Sequence, residues 1–274
     1  MFTSFMEPGV PSPVFWTFVA AAIIIQGISK SGFAGGAGIL SLPLMMLVMP
    51  PNLVSATMLP LLILCDLNAV YHHYHNKVWR KVLEIYLPTL PGIVLGAWVW
   101  WKIGKEGIGP YEVLLKRFVG VIAILFSLYI IGKETASATV ARYKPGWKTA
   151  IPAGIAAGFC STIAHAAGPI VGLYLFAQNL GKTLFVGTVA WTFLLINLSK
   201  LPFYYGVGLV RTDVLLFDLL LVPLVPAGSF LGKWLHERVS ERLFNAVIFV
   251  LTLLAGIQLL LNVRLVEVVL QKIF

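Results

Sequence analysis

The chain has 274 residues, of which 59% are hydrophobic and 11% charged, and its mean hydropathy is +0.90. Soluble domains carry about 25% charged residues, so a water-soluble globule is excluded. The net charge of +9 does not point to nucleic acid, because the lysines and arginines lie between apolar blocks, as cytoplasmic loops of multipass membrane proteins do.

Residues 1–13 hold no Lys or Arg, so no cleavable signal segment is expected. An apolar run over 14–28 leads into the Gly-rich stretch Ser29 to Gly38, and a short run over 39–49 ends at Pro50-Pro51. Three stretches of spanning length follow, over 53–71, 84–101 and 113–132. A polar connector over 133–148 comes next. The pattern then restarts with a run over 149–159, the stretch Cys160 to Pro169 and a short run ending near Gly181. Three more long segments close the chain, over 184–205, 214–235 and 243–261. A spanning helix needs about 20 apolar residues, so the shorter runs beside each Gly-rich stretch read as broken or re-entrant helical pairs.

The two halves are related. A slide of 131 positions sets Gly27 on Gly158, Thr57 on Thr188, Asp66 on Asn197 and Tyr74 on Tyr205. A slide of 135–136 sets Pro88, Pro91 and Gly96 on Pro223, Pro226 and Gly232. The expected fold is an all-α multipass membrane protein with two repeats, 1–132 and 149–274, joined by a cytoplasmic connector, 133–148. Each repeat is a broken or re-entrant pair plus three spanning helices. Three is odd, so the repeats are inverted. With the N-terminus outside, 11 basic residues face the cytoplasm and 7 do not, as the positive-inside rule favours. Parallel repeats with four spans each give a weaker division, 10 against 8.

Irregular backbone inside a bilayer is tolerated where it lines a cavity, and paired breaks in two repeats mark a transporter's binding site. Short helices beginning after Gly38 and at Pro169 would turn free N–H groups and positive dipole ends to that cavity. Gly35, Gly36, Gly38 and Gly168 let a ligand approach the backbone. These features favour an anion.

The stretches GISKSGFAGGAGILSLPLM (27–45) and AGFCSTIAHAAGPIVGLYLFAQNLGKTLFVGTVAWTFLLINLSKLPFYYGVGLV (157–210) resemble the TauE/SafE family of sulfite exporters. The resemblance covers nearly the whole chain and is strongest over the second stretch, where break, Gly-Thr and N-x-x-K occur in order. It implies a multipass transporter of sulfite or of an organosulfonate such as sulfoacetate, and not an enzyme. Where the second break might carry a glycine run, this sequence has Ile163-Ala164-His165-Ala166-Ala167.

The candidate substrate-binding residues are Lys30, Ser31, Gly36, Gly38, Ser161, Thr162, His165, Gly168, Asn197 and Lys200. An ionised group at a membrane centre costs roughly 2.5–3.5 kcal/mol on insertion scales, so Lys30 and Lys200 need a cavity or a partner, unless they snorkel to the interface. Asn197 and Lys200 share a helical face. His165 can donate to an oxyanion; Ser31, Ser161 and Thr162 can donate hydroxyls or cap the broken helices. Asp66 is the proton-coupling candidate or one side of an ion pair, and Asp218 is its rival, only about a turn into its segment. A second reading is a cation or metal carrier built on His72, His73 and His75, although an interfacial cluster explains those residues as well. Cys65 and Cys160 read as buried small hydrophobes, and Trp98, Trp100, Trp101 and Trp147 as interface belts. No cofactor is expected. The partners are a small anion and the lipid bilayer of the cell membrane, the inner one in a Gram-negative cell; a homo-oligomer is compatible with this.

Overall fold

The computed structural model describes residues 3–32, 36–142 and 145–262, with the side chains of 31, 32, 36, 37, 129–142, 236, 237, 241, 242 and 245 outside that description. Every α or 3-10 element among them is helical, and there is no strand. The first half holds α1 (Ser12–Gly32), a 3-10 turn (Gly36–Leu40), α2 (Ser41–Met46), α3 (Pro51–His72), α4 (Trp79–Tyr86), α5 (Thr89–Glu106) and α6 (Gly109–Arg142). The second holds α7 (Trp147–Ala164), α8 (Gly168–Phe176), α9 (Lys182–Gly206), α10 (Thr212–Leu221), α11 (Leu224–Arg238) and α12 (Glu241–Leu261). Among the described residues, five stretches are long and apolar enough to cross a membrane: Ser12–Lys30, Pro51–His72, Trp79–Glu106, Lys182–Gly206 and Thr212–Leu235.

Each half opens with a helical hairpin. Helix α1 runs on through Ser29 and Lys30, past residue 28 where the sequence places its end. Nothing in Ser29-Lys30-Ser31 forbids helical backbone. At 21 residues and about 1.5 Å each, α1 is no half-length helix. The chain then folds back along it. Gly38 N–H donates to Ser29 Oγ at 2.7 Å, and Glu7 N–H donates to Val48 O at 2.9 Å. By Val48 the chain has therefore returned to the level where α1 began. The second hairpin does the same: α7 continues five residues beyond 159 to Ala164, and Gln178 Nε2 past the end of α8 donates to Pro145 O at 2.9 Å.

The segments expected at 84–101 and 214–235 are each two helices. Pro88 and Pro91 sit at the α4–α5 junction, Pro223 and Pro226 at the α10–α11 junction. Proline carries no N–H and clashes with the preceding turn, so the ladder breaks there while the apolar composition continues. Helix α6 continues past 132 to Arg142, taking up most of the expected connector.

The halves interlock. Helix α1 packs along α11 and α7 along α5; α3 pairs with α9 and α6 with α12; α4 lies on α9 and α10 on α3. Association in lipid depends on close backbone approach rather than on water exclusion, and glycine supplies it. A Cβ on Gly27 would reach within 2.9 Å of Val225 O, and one on Gly158 would run into Thr89 O. Gly228 meets Ile24 O at 2.6 Å in the same way, and Gly92 meets Ile155 O. At one end of the bundle Phe5 stacks on Phe217 with centroids 4.5 Å apart, and Lys116 bridges Glu7 and Glu112 at 2.7 Å each. At the other end Val78 N–H donates to Thr188 Oγ1, and Tyr74 and Trp79 pack on Trp191. Trp98, Trp101 and Trp147 are exposed, whereas Trp100 points inward and donates to Thr162 O at 2.9 Å, so it leaves the expected aromatic belt.

Candidate functional site

The tips of the two hairpins meet between α3 and α9. Helix α7 stops at His165, whose φ of 46° is left-handed, a conformation uncommon outside glycine and suited to closing a helix. Its N–H returns to Ser161 O and that of Ala166 to Cys160 O. Helix α8 starts three residues later with Gly168-Pro169, the proline falling in the first turn, where its missing N–H costs nothing. The other hairpin brings Gln26 and Lys30 from α1 and Gly38 from its 3-10 turn. Between them lies a cavity of about 40 Å³, walled on its remaining sides by groups including Met58, Phe193 and Asn197. That volume exceeds the ~10–15 Å³ needed for one water.

Six of the expected residues line this cavity: Lys30, Gly38, Ser161, His165, Gly168 and Asn197. Lys30 Nζ lies 2.5 Å from Asp66 Oδ1 and 4.2 Å from the centre of the Phe193 ring. Asp66 is wholly buried and takes a second donor, Asn197 Nδ2, at 2.6 Å. The carboxylate thus ties α1 and α9 to α3, with its charge answered on both oxygens.

Lys200 stands behind the cavity, fully buried. Its Nζ contacts Ser161 O at 3.1 Å, Ser161 Oγ at 3.1 Å and His165 Nδ1 at 3.0 Å. Three acceptors match the three N–H groups of an ammonium. The His165 Nε2 faces Ser55 O at 3.0 Å. A carbonyl only accepts, so Nε2 carries the hydrogen and Nδ1 receives one from Lys200. Both ring nitrogens are thereby committed to the protein, and the ring positions the break rather than offering a donor to a ligand. Because Lys200 donates to Ser161 Oγ, the Ser161 hydroxyl hydrogen is free to point into the cavity.

Thr162 lies on the other side of α7, with Oγ1 donating to Gly158 O at 2.9 Å and its side chain against Gly96. Its carbonyl receives Trp100 Nε1 and Tyr204 OH. Gly36 begins the 3-10 turn, while the side chain of Ser31 lies outside the described residues. His72, His73 and His75 cluster at the end of α3, and burial together with the neighbouring His72 holds the His73 imidazole below its ordinary range. Among the described residues no three His, Cys, Asp or Glu side chains converge as metal ligands, so the metal-carrier reading gains no support. Cys65 and Cys160 are both free thiols.

Sequence reasoning missed Gln26 and Phe193. Gln26 is the one amide side chain within the run 14–28, one turn before Lys30, and that i,i+4 spacing was a usable signal. Phe193 had none. Beside the cavity, and sharing Phe126, Ala166 and Pro169 with it, an apolar groove of about 710 Å³ runs between α6, α7 and α8.

A family model described as "Sulfite exporter TauE/SafE" matches residues 19–259. Neither a curated protein nor a solved structure matches the chain.

Proposed function

The chain belongs to the TauE/SafE sulfite exporter family, and from that premise we propose that it exports a small sulfur-containing anion, sulfite or an organosulfonate such as sulfoacetate, by alternating access. The observation that carries this reading is the charge around the cavity. Among the described residues Lys30 and Lys200 stand against one carboxylate, Asp66, so the site carries an excess of one positive charge whenever Lys200 is protonated. The start of α8 at Gly168-Pro169 adds a positive dipole end, and Ser161 a hydroxyl donor. Lys30 and Ser161 come from different halves, so movement between the halves would alter the site.

Three features support an inverted repeat. Both hairpins end on the side where they began, so each half contributes an odd number of crossings from α3, α4–α5 and α6. Equivalent positions touch: Asp66 bonds Asn197, 131 residues away, and Gly120 packs on Gly256. The backbone approaches at the interlocked pairs also correspond, Gly27 on Val225 with Gly158 on Thr89, and Gly228 on Ile24 with Gly92 on Ile155. These are the contacts expected of a pseudo-twofold axis between α3 and α9. Lys77, Arg80, Lys81, Lys148, Lys182 and Lys233 would then face the cytoplasm of a bacterial cell membrane.

Sulfite flux in proteoliposomes tests the reading. Losing a hydrogen bond to a charged group costs about 1.5–3 kcal/mol, so Lys30→Met should lower flux by roughly tenfold to a hundredfold, and Lys30→Arg less. Saturable flux indifferent to both changes would remove the anion site from this cavity. The groove beside the cavity favours an organosulfonate, whose carbon chain it can hold; competition by sulfonates of increasing length against sulfite reads that preference directly.

A further inference from the structure

Asp218 on α10 is 3% exposed, yet neither of its carboxyl oxygens has a hydrogen-bond partner among the described residues. Its polar neighbour is Thr57 on α3, also fully buried, whose hydroxyl is near enough to act on the carboxyl group although Oγ1 closes no hydrogen bond of ordinary length. The charged or titratable groups on the elements packed around α10 are engaged or distant. Lys30 of α1 and Asp66 of α3 hold one another, Glu7 is held by Lys116, and Asp213 on the same helix is held by Arg211. Cys65 and His72 lie more than two turns beyond Thr57 along α3.

The first half shows what a buried carboxylate needs. Glu84 on α4, the helix whose place α10 takes in the second half, is 2% exposed and is met at 2.7 Å by Lys81, three residues earlier. Three residues before Asp218 stands Leu215. An unpaired carboxylate in such a place carries a large desolvation cost, and a neutral carboxylic acid a much smaller one. Asp66 is the opposite case, an anion with a donor on each oxygen.

We propose that Asp218, rather than Asp66, is the proton-binding group of the transport cycle, neutral while α10 is seated on α3 and ionised when the two helices part. On release the O–H bond breaks, its electron pair stays on the carboxylate, and the proton passes to water entering between α10 and α3. Phe217, the adjacent residue, stacks on Phe5 and packs on Trp16 at 5.6 Å, so seating and unseating of α10 also involve the start of α1.

The role in transport rests on the anion-exporter reading; the protonation itself does not, and the test separates them. Infrared spectra of the purified protein at neutral pH should contain the carbonyl stretch of a protonated carboxylic acid. Asp218→Asn should abolish it, Asp218→Glu should shift but keep it, and Asp66→Asn should leave it in place. A band that survives Asp218→Asn, or that disappears with Asp66→Asn or Glu84→Gln, overturns the assignment. In proteoliposomes Asp218→Asn should also lose the response of sulfite flux to an imposed pH gradient, and a retained response would overturn the coupling role. A band assigned to Asp218 in a protein that moves neither sulfite nor an organosulfonate would keep the proton site and discard the anion reading.

Discussion

Asp66 accepts from Lys30 and Asn197 at once, so its removal does more than delete a charge. Asp66→Ala leaves Lys30 without its counter-charge, and breaking one side of a buried pair costs about 3–5 kcal/mol. Replacing both partners, Lys30→Met with Asp66→Leu, should cost clearly less than the sum of the single changes, because neither ion remains unanswered. Thermal unfolding of the four proteins in detergent checks this; simple additivity would mean that the pair holds nothing together. Much at this scale was legible in the sequence. Lys30, Asp66, Asn197 and Lys200 stand out as polar groups in apolar runs, and His165 as an imidazole in a break. Their mutual arrangement was not legible. The C-terminal end of α7 is covered by protein on both faces, so hydropathy cannot say that Ser161 faces the cavity while Thr162 faces α5. Nor can it say that His165 spends both nitrogens on Ser55 and Lys200.

At the scale of the helix, glycine decides how near two backbones come. Gly92 and Gly158 lie where α5 and α7 touch, and an added methyl would collide with the carbonyls of Ile155 and Thr89. Backbone cannot swing aside as a flexible side chain can, so Gly92→Ala and Gly158→Ala should each cost about 1–3 kcal/mol or more, as overpacking does. Gly172, on α8, has open space where its Cβ would go, and Gly172→Ala should be neutral or stabilising by up to about 1 kcal/mol. Thermal unfolding in detergent ranks the three variants, and equal behaviour would show that α5 and α7 can separate freely. The prolines at 88, 91, 223 and 226 are plain in the sequence, yet the two-helix character of those spans was missed. Hydropathy runs unbroken across them, and proline alone does not distinguish a kink from a break. The ends of α1 and α7 were set too early for a related reason. Ser29, Lys30 and Ser161 looked like the contents of a loop, but small polar residues sit well in a helix when their side chains find partners, as these do.

For the molecule as a whole, the marks of the proposed repeat were legible, because Gly27 with Gly158 and Asp66 with Asn197 recur at one offset. Which helix of one half would lie on which helix of the other was not, since a glycine face shows that a neighbour comes close without saying which. The answer is an exchange: the hairpin of each half rests on the fifth helix of the other, α1 on α11 and α7 on α5. Neither half closes its own packing. A chain cut within 133–148 and produced as two co-expressed pieces should therefore copurify, and either piece alone should be unstable. A half that is monodisperse by itself would argue against the exchange. The same arrangement places Lys30 and Gly38 on one packed body and Ser161, His165 and Gly168 on the other, so a tilt between the bodies would open or shut the cavity, as the proposed alternating access requires.

The exchange also bears on how the protein is made. The chain leaves the ribosome from its N-terminus, so α1 enters the bilayer well before α11, the helix that covers Gly27 and Ile24. Lys30 is answered early, as soon as α3 delivers Asp66. The glycine face beside it must wait in lipid until α11 arrives. During that interval the nascent protein exposes a helix surface shaped for a close neighbour that does not yet exist, open to the α1 of another growing chain. That face therefore needs cover during synthesis as well as in the finished bundle.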